Sequence, residues 1–184
     1  MRRTFHVAMF PSKWDAWIYK SLSGINNARV VYLPLSLDCY SADCDMRKEH
    51  WLAVKEPGES EVSDGVRLAE RAAEKAGVAI QSVTRSNTTG QVVVYDESVG
   101  VVLPSFTAHL PYALGEALAR RRPVIATTIG AVAFEELDGV VTVAAGDVDA
   151  MAEAMGNPPE VPVDAANRWH PRKHAIDWLE AVTK

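Results

Sequence analysis

Three polar side chains, Ser105, His109 and Glu116, fall within one passage that runs from strand to turn to helix. The apolar run 99–103 reads as a strand covered on both faces, and 111–120 reads as a helix with Pro111 in its first turn. Open α/β sheets bind ligands outside the carboxyl ends of their strands, where helix N-termini point. The first N–H groups of the 111–120 helix, aided by its dipole, suit a phosphate. Glu116 follows more than a turn deeper, a carboxylate able to accept two hydroxyl hydrogen bonds from a ribose. His109 could donate to a sugar hydroxyl or a phosphate, and Ser105 could face the same ligand. Strand, anion-binding turn and diol-binding carboxylate together point to a nucleotide diphosphate site. Each group also has a plainer reading: Glu116 as a solvated helix carboxylate, His109 as a loop histidine, Ser105 bonded to its own turn.

Other constellations carry less. Asp43-Cys44-Asp45 has the form of a metal-binding Asp-x-Asp, but offers fewer ligands than a metal site needs. Cys39 and Cys44 lack the second pair of a structural zinc site. His170 and His174 have i,i+4 spacing with Pro171 between them and no third ligand in view. No metal site is expected. The cations of Arg120-Arg121-Arg122 close a helix, where they suit its dipole better than they suit an anion or partner patch. Neither G-x-G-x-x-G nor G-x-x-x-x-G-K-[ST] occurs, so dinucleotide and P-loop readings have no support.

The elements that must position these groups alternate. Strands are expected over 5–9, 29–33, 51–54, 78–83, 99–103, 124–127 and 140–144. Helices are expected over 14–22 with Ser12 as N-cap, and over 63–76 with Ser63 as N-cap and Gly77 beyond its end. Further helices are expected over 111–120, over 148–155 capped by Asp147, and over 174–182. The stretch 35–50 reads as loop, 87–90 as loop, 160–164 as linker, and 92–95 by propensity as strand. The pattern predicts an α/β fold: a single Rossmann-like parallel sheet flanked by helices. Trp14, Trp17, Trp51, Trp169 and Trp178 read as core or shielding residues, unless an exposed pair marks an interface.

Composition sets the outer bounds. At 184 residues, 48% hydrophobic and 23% charged, the chain has the makings of one well-buried domain. Nineteen Lys+Arg against 24 Asp+Glu leave a net charge of −5, which disfavours nucleic acid as a bulk electrostatic partner. Two cysteines cannot build a disulfide framework and read as reduced thiols. The apolar start is broken by His6 and ends at Pro11, and no run approaches a membrane span. A cytoplasmic location is the expectation.

The passage from Val101 to Gly130 resembles the donor-binding half of retaining GT-B glycosyltransferases, glycosyltransferase family 4 and its relatives. Pro104-Ser105, Leu110-Pro111, Glu116-Ala117-Leu118-Ala119, Pro123-Val124-Ile125-Ala126-Thr127 and Gly130 fall in register with that family's motifs. Asp138-Gly139 and Gly146-Asp147 sit where it places a turn and a helix cap, and the Trp169…Trp178 segment resembles its closing helix. The likeness is specific over about 100–155 and weaker elsewhere, and it implies a short helix over 92–95 in place of a strand.

It implies one donor-binding domain over 1–184, with 1–38 the end of an N-terminal domain and its linker, 51–160 the core and 165–184 the closing helix. It implies that Glu116 binds the ribose of a UDP-, GDP- or ADP-sugar, that the amides of Tyr112, Ala113 and Leu114 meet the diphosphate, and that no metal or other cofactor takes part. Departures bear on the mechanism. The family's sugar-contacting glutamate is Ala108 here, with His109 beside it. Its phosphate-binding Arg and Lys have at best Lys55 as counterpart, and the glycine before Pro123 is Arg122. The leading expectation is nucleotide-sugar-dependent glycosyl transfer, with the acceptor site supplied by a partner protein, a second subunit of a homo-oligomer or the short N-terminal segment. The alternative is a non-catalytic descendant with a degenerate site, used as a binding or structural module.

Overall fold

The computed structural model describes residues 7–24, 26–40, 50–55, 65–85, 95–106 and 111–183. Five parallel strands form the main sheet in the order β4-β3-β5-β6-β7: β3 (His50–Lys55), β4 (Ala79–Thr84), β5 (Gly100–Leu103), β6 (Val124–Thr127) and β7 (Val140–Val143). The three inner strands alternate strictly between two cores. Leu52, Val54, Val101, Leu103, Val124 and Ala126 face one side. Trp51, Ala53, Val102 and Ile125 face the other. A run apolar at every position is what a sheet covered on both faces requires.

Helices α2 (Val66–Ala76) and α4 (Val148–Gly156) lie together on the second face, through Ala69, Ala72, Ala73, Met151 and Met155. Helix α3 (Tyr112–Ala119) covers the first, burying Ala113, Leu114, Ala117 and Leu118. Gly115 lets α3 lie close: a Cβ there would stand 3.1 Å from the Trp169 ring. The chain therefore leaves β3 outward to β4, returns across β3 to β5 and continues the other way. This reversal is a topological switch point, and its crevice lies at the carboxyl ends of β3 and β5.

A smaller unit precedes the sheet. Strands β1 (Ala8–Phe10) and β2 (Ala28–Val30) pair in parallel, joined by α1 (Lys13–Ser23). Ser12 caps α1 by accepting from the Asp15 N–H at 3.1 Å, as its position predicts. The Glu135 carboxylate ties this unit to the sheet. It accepts from the Lys13 N–H at 3.2 Å, the Tyr32 hydroxyl at 2.7 Å and Arg168 at 3.1 Å. Around the same contact Trp14 stacks on Trp17, and both rings touch Phe134.

Several expectations need correcting. Helix α2 starts at Val66 behind Gly65, whose φ of 66° is left-handed, and Ser63 lies outside the described residues. The 35–50 loop contains a 3-10 turn at Leu37–Tyr40, and a second such turn occupies Gly130–Phe134. The closing helix α5 (Pro171–Thr183) begins at its proline rather than at His174, because a first-turn proline has no N–H to waste. Pro111 stands at the N-cap of α3, one residue outside the helix. Trp51 and Trp169 are core, whereas Trp17 and Trp178 are about half exposed.

Candidate functional site

Four strand ends meet at the crevice. Lys55 ends β3, Arg85 follows β4, Pro104 and Ser105 follow β5, and Thr127 ends β6. The wall is tightly built. Gly65 passes so close to the β5 end that a Cβ would stand 2.1 Å from the Pro104 carbonyl oxygen. The Thr127 hydroxyl donates to the Ser105 carbonyl at 2.5 Å, fixing the turn that leads to α3.

Glu116, on the second turn of α3, is the polar centre. Arg85 Nη2 donates to Oε1 at 2.6 Å, and Arg85 Nε donates to Oε2 at 3.1 Å. The Tyr95 hydroxyl also donates to Oε2, at 2.9 Å. This planar fork on a carboxylate is among the strongest and most directional of side-chain pairings. The Arg85 guanidinium carbon also lies 5.1 Å from the centre of the Tyr112 ring, in cation–π range at the first residue of α3. Burial raises the pKa of the Tyr112 phenol, with Arg85 pulling it down and Glu116 pushing it up. Burial likewise raises the pKa of the Cys39 thiol, with Glu116 next in effect.

The arginines that close α3 hold the floor of this network. Arg120 pairs with Asp96 at 2.5 Å. Arg122 donates from Nε to the Tyr95 carbonyl at 2.9 Å and from Nη2 to the Asp96 carbonyl at 2.8 Å. Both are buried and bound to Asp96 and to backbone carbonyls, so the expectation that they serve the helix dipole is corrected. They clamp the segment bearing Tyr95, and only Arg121 remains exposed, at φ 53°.

Most of the expected site residues gather here. Ser105, Pro111, Tyr112, Ala113, Leu114, Glu116 and Lys55 all lie at or beside the carboxyl ends of the strands. His109 and Leu110 lie outside the described residues, as does Ala108. The Leu114 N–H donates to the Pro111 carbonyl at 3.2 Å, within the first turn of α3. Glu116 is neither solvated nor vacant; its side chain is 13% exposed and its oxygens already hold three donors.

Sequence reasoning missed Arg85 and Tyr95. A lone arginine just past an edge strand gives no signal by type or spacing. Only the register that sets Thr84 beside Lys55, with the Arg85 N–H on the Lys55 carbonyl at 2.8 Å, brings it to the crevice.

Among the described residues no group of three or more His, Cys, Asp or Glu side chains could hold a metal. His170 Nδ1 accepts from the Arg172 N–H, and His174 Nδ1 donates to the Tyr32 carbonyl at 2.9 Å. No helix among the described residues is long and apolar enough to cross a membrane.

Residues 62–157, just over half of the chain, match the family model described as Glycosyl transferases group 1. The chain belongs to that family. Its fold is that of a GT-B glycosyltransferase domain, as solved structures show. A variant of S. aureus TarM, in complex with fondaparinux, α-GlcNAc-glycerol and UDP, superposes with a TM-score of 0.73 at 12% identity, over 97% of this chain and 44% of that one. Anabaena HepE in complex with UDP-glucose gives 0.69 at 10% identity, over 98% and 64%. The apo form of the lipopolysaccharide outer core galactosyltransferase WaaB gives 0.68 at 14% identity, over 96% and 61%. This group 1 chain thus spans between about two fifths and two thirds of the length of the structures it resembles. No curated protein sequence matches it.

Proposed function

We propose that this domain binds a nucleoside diphosphate sugar in the switch-point crevice and serves as the donor half of a retaining glycosyltransferase of the family 4 type. One observation carries the reading. Glu116 presents its carboxylate at the carboxyl ends of the central strands, behind the first turn of α3, with Lys55 and Arg85 on neighbouring strand ends. A carboxylate accepts the two hydroxyls of a ribose, while cations and the helix mouth neutralise a diphosphate. Transfer of this kind depends on positioning and charge stabilisation, which fixed dipoles and cations provide. The reading uses no metal or further cofactor, and it places the acceptor on a partner protein, a second subunit or another part of the GT-B architecture.

Family membership and the UDP and UDP-glucose held by TarM and HepE support a sugar nucleotide as ligand class. A second reading, a non-catalytic binding or structural module, is favoured by Ala108 at the family's sugar-contacting position and by the donors already on Glu116. Calorimetric titration with UDP-, GDP- and ADP-sugars tests the first reading. Binding of one of them, lost in Glu116→Ala, is the expected result. Binding that Glu116→Ala leaves intact would remove the assigned role. Release of free nucleotide in the presence of an acceptor then separates transferase from binder.

A further inference from the structure

The Arg85 fork spans both oxygens of Glu116, the same two acceptors that a vicinal diol would need. Of the two side chains bonded to that carboxylate, Tyr95 is locked in the core at 3% exposure, clamped through its carbonyl by Arg122. The Arg85 side chain is 14% exposed and enters from just beyond β4, so it is the less buried of the two. Its guanidinium already rests on Tyr112, the first residue of α3. Tyr112 thus stands between the carboxylate and the mouth of α3, where the donor's phosphates would lie.

We infer that Arg85 is a self-occupying latch on the donor site: it fills the diol seat of Glu116 in the empty protein and moves to the diphosphate when a sugar nucleotide enters. The inference rests on the donor-site reading above and adds a selectivity that reading lacks. A bare nucleoside must open the ion pair with nothing to offer the displaced guanidinium. A nucleoside diphosphate supplies a new anion for it. Phosphate is then required for entry as well as for affinity.

The test is calorimetric titration of the wild type, Arg85→Met and Arg85→Lys with uridine, guanosine and adenosine and with their diphosphates, each variant first checked for its fold by circular dichroism. Arg85→Met is expected to bind the matching nucleoside about tenfold more tightly than the wild type, and to lose at least about tenfold of its preference for the diphosphate. Arg85→Lys keeps the charge without the fork, and is expected to gain nucleoside affinity while retaining most of that preference. A wild type that binds only the diphosphate, with an Arg85→Met variant that also binds the bare nucleoside, would show the latch at full strength. Diphosphate binding by the wild type with unchanged or weaker nucleoside binding by Arg85→Met would overturn the latch and leave the donor site standing. Absence of binding in all three proteins would overturn both.

Discussion

Two glutamates in this molecule each hold an arginine and a tyrosine hydroxyl, and they differ most in burial. Glu116 takes an arginine and a tyrosine hydroxyl, Arg85 and Tyr95. Glu135 takes an arginine and a tyrosine hydroxyl as well, Arg168 and Tyr32, and adds the backbone N–H of Lys13. The Glu135 side chain is 0% exposed and joins the β1-α1-β2 unit to the sheet. The Glu116 side chain is 13% exposed, beside the carboxyl ends of the strands. Similar donors therefore make a rivet in one place and, if Arg85 is a latch, an openable seat in the other. Burial decides which.

The largest effect should come from breaking the rivet. Glu135→Ala strips the acceptor from Tyr32, Arg168 and the first turn of α1, and is expected to cost about 3–5 kcal/mol in urea unfolding. A cost no greater than that of the Glu116 variant would dissolve the contrast. Gly65→Ala sharpens the picture of the crevice wall. Left-handed backbone combined with a Cβ 2.1 Å from the Pro104 oxygen predicts a loss of about 2–3 kcal/mol, read from the same unfolding curves. Glu116→Ala should cost only about 1–2 kcal/mol, because Arg85 can turn towards water.

The smallest effect is on pH. Burial raises the pKa of the Cys39 thiol and of the Tyr32, Tyr40 and Tyr112 phenols in the folded chain. The unfolded chain releases these protons first, the thiol near about 8.5 and the phenols near about 10. Their contribution is therefore fully present below those values and is lost as pH rises through the folded-state ones. Stability measured by denaturant titration should fall by about 1 kcal/mol between pH 8 and pH 10. Cys39 should resist alkylation across that range while the protein stays folded. Rapid modification would place the thiol outside the core.

The sheet was legible because its strands announce themselves. The unbroken run 99–103 and the Val124–Thr127 strand behind Pro123 follow from burial on both faces. Ser12 and Asp147 could be read as caps because each needs only its own next turn. The start of α2 could not, since Gly65 serves there through its approach to Pro104, which is far away in sequence. Glu116 stood out by its place on α3. Its partners did not, because Arg85 and Tyr95 are brought to it by strand register and by the Arg122 clamp. The same holds for Arg120, which by local pattern belongs to a helix end and in three dimensions belongs to Asp96.

A crystal structure of the protein with a bound nucleoside diphosphate tests the donor-site account most directly. The account predicts ribose hydroxyls within about 3 Å of both Glu116 oxygens, with the Arg85 guanidinium moved onto the phosphates. A nucleotide bound elsewhere, with the Arg85–Glu116 fork intact, would contradict it.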